Sequence, residues 1–177
     1  MPTWKSRGLR GSALEELINR TNDTYRDMKL CLVQKIPTPI TPIEIDPQKR
    51  HITLAYFEQK STVDYIGACQ GIPICFDAKE SAVDTFSLQN IHEHQVEFMK
   101  DFSLQGGVAF FLIYYTHKDL MYFMSIEEMV PFLKRSLSGG RKSIRFDELK
   151  EENFLQKKPG ILVPYLDMVD KYLANRQ

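Results

Sequence analysis

The chain has 177 residues, enough for one domain with a hydrophobic core and few for two. Apolar residues make up 43% and charged residues 26%, and no apolar run approaches the roughly 20 residues of a membrane span. The formal net charge is zero, so a nucleic-acid binder would need its positive charge clustered. We expect a cytoplasmic protein, since the first residues lack the apolar core of a signal peptide. The three cysteines show no CxxC spacing, which argues against a disulfide framework or a zinc site.

The first predicted element is a helix over residues 11–28, followed by a strand over residues 29–36. Ser12 and Glu15 have the spacing of a capping box, which would begin the helix. Helical periodicity places one apolar stripe toward the core. Its members are Leu14, Ile18, Thr21, Tyr25 and Met28.

A proline-rich segment comes next, with the sequence "KIPTPITPIEIDPQKR". Its four prolines forbid a helix and do not suit a central strand. We therefore expect residues 35–55 to form a projecting stalk, built as a two-stranded arm in which "HITLAYFEQ" returns. A loop packed on its own domain remains the alternative at this point.

The rest of the chain predicts a mixed sheet flanked by helices, which is an α/β domain. Ser125 with Glu128 has the spacing of a second capping box. The predicted elements are a hairpin over residues 63–79, a helix over 89–102, strands over 106–115 and 120–124, a short helix after Ser125, a basic loop over 138–150 and a final helix over 165–175.

The predicted hairpin raises the question of a metal site. Antiparallel pairing about Gln70-Gly71 places Asp64 directly opposite Asp77, with Cβ atoms about 4.5–5.5 Å apart. Lys79 lies two residues beyond Asp77 and therefore on the same face. Two carboxylates at that distance repel each other unless a proton or a cation lies between them. The pattern fits a Mg²⁺ site in which the ammonium of Lys79 lies beside a reacting phosphate. It also fits a solvent-facing strand on which Lys79 neutralises the charge of the two carboxylates.

Gln95 is the second unusual residue, because it falls on an apolar stripe of the helix over 89–102. A glutamine there needs a buried partner, which a metal, a metal-bound water or a backbone carbonyl could provide. His92 and His94 are two apart on the same helix and should diverge, which argues against zinc. Glu15 has an ordinary explanation as a capping residue.

An Asp followed about a dozen residues later by Asp/Glu-x-Lys is the pattern of the PD-(D/E)xK nuclease superfamily. The chain also resembles the RecU-type Holliday junction resolvases in blocks that follow the family's order: "GSALEELINRTN", "KIPTPI", "AYFEQKSTVDY", "FDAKE", "LQNIHEHQ" and "GGRKSIR". The resemblance implies a restriction-endonuclease-like fold and a single nuclease domain over residues 1–177. It further implies a homodimeric, Mg²⁺-dependent endonuclease, with Mn²⁺ as a substitute, that cuts four-way DNA junctions by paired nicks in recombination and repair. A recombinase or a branch-migration helicase would be a further partner, and the compact chain would suit a phage-encoded member.

The resemblance also implies roles for particular residues. The metal ligands fall on Thr62, Asp64, Asp77 and Gln95. The catalytic group comprises Lys79, Asp64, Asp77 and Glu15. The DNA contacts fall on Arg10 in a basic tail over residues 1–10, on Lys35 and Arg50 in the stalk, on Tyr56 and Phe57 at its return, and on Arg141, Lys142 and Arg145 in the basic loop.

One departure from the family pattern leaves other functions open. The family usually has Glu where this chain has Asp77, and Asp is one methylene shorter. This departure permits one alternative to the resolvase, and a second alternative is independent of it. One is a non-catalytic module that binds junctions or anneals strands, and the other is a nuclease of the same fold that acts on another branched DNA.

Overall fold

The structure is a computed structural model that describes residues 13–57 and 62–176. Four α-helices lie in these ranges: α1 (Ala13–Asp27), α2 (Glu93–Leu104), α3 (Ile126–Leu137) and α4 (Tyr165–Arg176). The strands there are β1 (Leu32–Lys35), β2 (Ile40–Asp46), β3 (His51–Phe57), β4 (Tyr65–Cys69), β5 (Ile72–Ser81), β6 (Thr85–Ser87), β7 (Val108–Tyr115), β8 (Leu120–Ser125) and β9 (Ser143–Arg145).

A five-stranded sheet with the order β1-β4-β5-β7-β8 forms the centre of the molecule. Strands β5 and β7 run parallel, and the other neighbouring pairs run antiparallel. Helices α1 and α4 pack on one face, where Phe76 and Phe110 lie in the core. Helices α2 and α3 pack on the other face, where Cys75 and Phe111 lie in the core. The predicted α/β fold, a mixed sheet between helices, is confirmed.

The predicted hairpin is formed by β4 and β5, with Tyr65 opposite Phe76 and Cys69 opposite Ile72. Gln70 and Gly71 connect the strands with φ angles of 48° and 90°. Two consecutive residues with positive φ are typical of the tight turns that match the twist of a hairpin. The predicted register is therefore confirmed. Extended by one residue pair, it places Asp64, which directly precedes β4, opposite Asp77 in β5.

The proline-rich segment forms the antiparallel pair β2–β3, which is a two-stranded sheet separate from the central one. Most of its side chains are exposed, and the register shifts next to Pro42. The predicted antiparallel arm is thus observed over the described residues. Whether residues 35–55 act as a stalk in DNA stays a prediction.

Two local predictions are wrong. Met28 was expected in the core, but it is 55% exposed, because α1 ends at Asp27 and Lys29 adopts a left-handed φ of 58° that turns the chain away. The rings of His92 and His94 do not diverge but stack, with centroids 5.5 Å apart. His92 is the extended N-cap of α2, so helical geometry does not apply to it.

Other predictions agree with the structure or lie outside it. Ser125 caps α3 by accepting a hydrogen bond from the backbone N–H of Glu128, as the capping-box spacing indicated. The basic loop contains the short strand β9, which pairs with β6. The predictions for the basic tail, including Arg10, and for Ser12 lie outside the described residues. No helix in the described ranges is both long enough and apolar enough to cross a membrane.

Candidate active site

The side chains of Asp64 and Asp77 meet at the start of β4, where the hairpin register places them opposite each other. The backbone N–H of Asp64 donates to Oδ1 of Asp77 over 3.1 Å. The backbone N–H of Ala78 donates in return to Oδ2 of Asp64 over 2.9 Å. Asp77 is fully buried, with 0% exposure. A solvent-facing strand with neutralised surface charges is therefore excluded.

Lys79 lies beside this pair on the same face of β5. Its Nζ is 2.5 Å from Oδ2 of Asp77, and its side chain is largely shielded from solvent. No described residue donates a hydrogen bond with regular geometry to that buried oxygen, so the contact is a close ion pair and not a directed hydrogen bond. Oδ2 of Asp77 is thus the oxygen that faces positive charge.

The electrostatics of the pair favour a cation. Burial, and then the charge of Asp77, raise the pKa of Asp64 from its ordinary 3.8 to about 7. The N–H of Ala78 and the ammonium of Lys79 act in the opposite direction and do not offset the effect. A divalent ion between the carboxylates would relieve this repulsion, and Oδ2 of Asp77, which accepts no hydrogen bond of regular geometry from the described residues, would give it a buried ligand.

The chemistry of the donors selects the kind of metal. No group of three or more His, Cys, Asp or Glu side chains that could hold a metal occurs within residues 13–57 and 62–176. Two carboxylates without nitrogen or sulfur donors suit a hard ion such as Mg²⁺, which keeps several waters and uses one or two carboxylates. The residues present therefore fit such an ion, and they do not fit a zinc site.

Gln95 contributes the fourth side chain of the site, from α2. It is only 6% exposed, as its place on an apolar stripe predicted. Its Nε2 donates to Oδ1 of Asp77 over 3.1 Å, and its Oε1 accepts from the backbone N–H of His92 over 3.3 Å. The buried partner is thus a carboxylate, which was not among the partners expected from the sequence.

The structure brings together two residues that the sequence assigned to different roles. Nζ of Lys35, a predicted DNA contact, lies 2.6 Å from Oε2 of Glu15, a predicted catalytic residue. The backbone carbonyl of Glu15 accepts from the hydroxyl of Tyr65, which directly follows Asp64. The start of α1 is therefore held against the beginning of β4. Thr62, exposed in a bend two residues before Asp64, stays a predicted ligand.

Sequence reasoning missed Glu80, which follows the predicted lysine. Its Oε1 accepts from the backbone N–H of Leu14 over 3.0 Å, so a residue of β5 satisfies the N-terminus of α1. Strand alternation could have found it, because Glu80 points to the opposite face from Lys79, where α1 packs.

The remaining predicted DNA contacts lie in two further regions. Arg50 lies at the turn of the arm with a left-handed φ of 52°, and Tyr56 and Phe57 are exposed near its base. Arg141 and Lys142 are exposed in the loop before β9. Arg145 differs from them, because its Nε lies 2.9 Å from a carboxylate oxygen of Asp147.

A mixed sheet whose hairpin brings two aspartates and the lysine of an Asp-x-Lys motif into contact is typical of the PD-(D/E)xK class of metal-dependent nucleases. The chain belongs to the RecU family, since the family model described as "Recombination protein U" matches residues 9–171.

Curated relatives agree with this assignment. A Holliday junction resolvase RecU from Pediococcus pentosaceus is 38% identical over 173 residues, which cover 95% of this chain and 86% of that protein. One from Bacillus licheniformis is 40% identical over 154 residues, which cover 85% of this chain and 75% of that protein. Among solved structures, the Holliday junction resolvase Hjc of Archaeoglobus fulgidus aligns over 62% of this chain and 77% of that one. That alignment has a TM-score of 0.36 and 10% sequence identity.

Proposed function

We propose that this RecU-family protein is a Holliday junction resolvase, an endonuclease that uses a divalent metal ion to cut four-way DNA junctions by paired symmetric nicks. Its relatives bear that name. The observation that carries the proposal is the buried pair of Asp64 and Asp77 with Lys79 on Oδ2 of Asp77. A buried carboxylate pair beside an ammonium, in which burial and the charge of Asp77 raise the pKa of Asp64, is a costly arrangement that catalysis of phosphodiester hydrolysis would explain.

Asp64 and Asp77 are the residues that would hold the metal, with the hydroxyl of Thr62 as a further oxygen ligand. We propose Mg²⁺, with Mn²⁺ as a substitute. When bound, such an ion lowers the pKa of a coordinated water and stabilises negative charge on a phosphate. The shorter Asp77 keeps its carboxylate close to the strand, where backbone and side-chain donors fix it, so we expect activity to be retained.

The protein's own groups would complete the reaction. The ammonium of Lys79, held at 2.5 Å from Asp77, is placed to stabilise the charge that develops on the phosphate oxygens. The carboxylate of Glu15 is proposed to act at the edge of the site, where Lys35 orients it. A phosphate near Lys35 would compete with Glu15 for the ammonium, which would couple DNA binding to the catalytic group.

DNA binding is proposed for the arm and for the loop before β9. Arg50, Tyr56 and Phe57 would contact the centre of the junction, while Arg141 and Lys142 would contact phosphates. Arg145 would have to exchange Asp147 for a phosphate, so we expect it to contribute less. A homodimer would place two sites on a junction that is itself nearly two-fold symmetric, as two symmetric cuts require.

The test uses a synthetic four-way junction and a linear duplex of equal length. Wild-type protein, Asp77→Ala and the surface control Asp170→Ala are incubated with each DNA in Mg²⁺, in Mn²⁺ and in EDTA. We expect paired nicks in the junction alone, lost in EDTA and in Asp77→Ala, while junction binding persists and the control cuts normally. Junction binding by the wild type without cleavage in either metal would replace the resolvase with the non-catalytic binding module.

A shortened arm separates the resolvase from a nuclease that acts on another branched DNA. Because Pro42 pairs with Ala55, replacing residues 42–55 by a short Gly-Ser turn trims both strands together. If the arm selects the junction, this variant loses junction cleavage and keeps slow, unselective nicking of duplex DNA. An unchanged preference for junctions over flaps would show that the selection lies elsewhere.

A further inference from the structure

We propose that Cys31 and Cys69 form a redox-sensitive pair, which a hydroperoxide converts into a disulfide bond between β1 and β4 without unfolding the chain. All three cysteines are free thiols in the structure. Their spacing in the sequence argued against a disulfide framework, but the register of the central sheet brings two of them together. The pair lies on the face of the sheet that α1 and α4 cover, away from Asp77 and the proposed metal site.

The register of β1 and β4 places the two cysteines directly opposite each other. Leu32 pairs with Ala68 in this antiparallel ladder. Continued by one residue pair, the ladder places Cys31, which directly precedes β1, opposite Cys69, which ends β4. Opposed residues of an antiparallel pair have their side chains on the same face of the sheet. Both thiols accordingly belong to the hydrophobic core on the α1 and α4 side.

The hydrogen bonds of the ladder define the kind of pair that the cysteines form. The backbone N–H of Ile36 donates to the carbonyl of Asp64 over 2.8 Å, so these two residues are a hydrogen-bonded pair. Hydrogen-bonded and non-hydrogen-bonded pairs alternate along the ladder, which makes Cys31 and Cys69 a non-hydrogen-bonded pair. The Cα atoms of such a pair lie about 4.5 Å apart, and disulfides span Cα separations of about 4.4–6.8 Å.

Two contacts show that the strands approach closely at this end of the ladder. The thiol of Cys69 donates to the backbone carbonyl of Leu30, the neighbour of Cys31, over 3.5 Å. A Cβ built on Gly67 would lie 2.7 Å from Cα of Val33, at the next non-hydrogen-bonded pair along the ladder. A bond between the two sulfur atoms therefore requires a change of side-chain rotamers and no separation of the strands.

The two thiols differ in their access to solvent. Cys31 is 7% exposed, and its Sγ lies 3.8 Å from the hydroxyl of Tyr165. Cys69 is partly exposed at the end of β4, so an oxidant reaches it first. Burial raises the pKa of both thiols, which keeps the thiolate fraction small and the oxidation slow at neutral pH.

The oxidation takes two steps and consumes one hydroperoxide. The thiolate of Cys69 attacks the terminal oxygen of the peroxide, so that an S–O bond forms, the O–O bond breaks, and the leaving oxygen is protonated to an alcohol or water. The thiolate of Cys31 then attacks the sulfenic sulfur of Cys69, so that the S–S bond forms and hydroxide leaves as water. The two thiols lose two electrons, and the peroxide gains them.

Cys75 is separated from the pair, and the bond has a consequence for the fold. Cys75 lies in the core on the opposite face of the sheet, against α2 and α3. The bond from Cys31 to Cys69 closes a ring that contains the whole arm formed by β2 and β3, and it ties the edge strand β1 to β4. Closing such a ring restricts the unfolded chain, so the oxidised protein should be more stable than the reduced protein.

The test oxidises the full chain with a small excess of hydrogen peroxide at about pH 8.5, where more thiolate is present, and compares it with protein kept reduced. Thiols titrated after unfolding should fall from three to one. A peptide map without reductant should contain one linked pair, Cys31 with Cys69. The midpoint of thermal unfolding should rise by about 5–10 °C and should return to its starting value after reduction.

Three variants locate the bond. Cys75→Ala should still form the linked pair. Cys69→Ser changes a partly exposed side chain, and it should keep both remaining thiols and show no rise in the midpoint. The double variant Ala68→Cys/Cys69→Ser moves the sulfur by one residue to the other face of β4, so it should form no link to Cys31.

Several results would overturn the proposal. The folded wild type could keep all three thiols under conditions that oxidise the urea-unfolded chain. The peptide map could show a sulfenic or sulfinic acid at Cys69 without a linked pair, or a link between two copies of the chain. An unchanged or lower midpoint in the linked protein would show that the fold does not accommodate the bond.

Discussion

The pair of Asp64 and Asp77 should make the stability of the metal-free protein depend on pH, and Asp77→Asn should reduce that dependence. Burial and the charge of Asp77 raise the pKa of Asp64 from 3.8 to about 7 in the folded protein. Between these values the folded pair keeps a proton that the unfolded chain has lost. The stabilisation is therefore fully present below about pH 4 and is lost as the pH rises through about 7.

The magnitude follows from the difference between the folded and unfolded pKa values. A difference of about three corresponds to about 4 kcal/mol if none of it is screened. Asp64 is partly exposed, so we expect about 2 kcal/mol in practice. Burial is the larger cause of the raised pKa of Asp64, and it persists in Asp77→Asn. The negative charge at position 77 disappears in that variant. The variant should therefore lose about half as much stability as the wild type between pH 5 and pH 8.

The assay is urea unfolding in EDTA at pH 5 and pH 8, followed for the wild type, for Asp77→Asn and for Asp170→Asn. Asp170 is an exposed carboxylate on α4, so its substitution makes the same change of charge far from the pair. Addition of Mg²⁺ at pH 8 should restore stability to the wild type and to the control but not to Asp77→Asn. An equal loss of stability with rising pH in the wild type and in Asp77→Asn would refute this account of the site.

Three other changes test the scaffold around the site. Gly67→Ala places a Cβ 2.1 Å from a carbonyl oxygen of β1, so it should lower the free energy of unfolding in urea by about 3 kcal/mol. In the control Gly71→Ala the added Cβ meets nothing within 4 Å, and the positive φ alone should cost about 1 kcal/mol. Equal costs would contradict the close strand approach. Lys35→Met should change the free energy of unfolding by less than about 1 kcal/mol. It should nevertheless reduce the slope of log K for junction binding against log salt concentration by about 0.9, whereas the control Lys157→Met should leave that slope unchanged. An unchanged slope would remove Lys35 from the DNA contacts. Ser125→Ala removes the side-chain cap of α3 and should cost about 1 kcal/mol of unfolding free energy, and no loss would show that the cap is dispensable.

The local sequence pattern was sufficient to predict the hairpin and the face on which its charges lie. A tight turn at Gln70-Gly71 fixes the register of two adjacent strands, and strand alternation then fixes which side chains share a face. Asp64, Asp77 and Lys79 could be placed together for this reason, since every step of that inference is local. The buried glutamine was also visible, because helical periodicity puts Gln95 among apolar residues.

The contacts of these side chains could not be predicted in the same way, because they depend on packing between elements distant in sequence. The partner of Gln95 depends on how α2 packs on the sheet, and the zero exposure of Asp77 depends on the same packing. The contact between Lys35 and Glu15 likewise depends on how α1 lies against β1 and β4. These arrangements are set by the burial of two hydrophobic faces between elements distant in sequence. The local sequence pattern predicts which face of each element is apolar, but it does not predict which other element packs on that face.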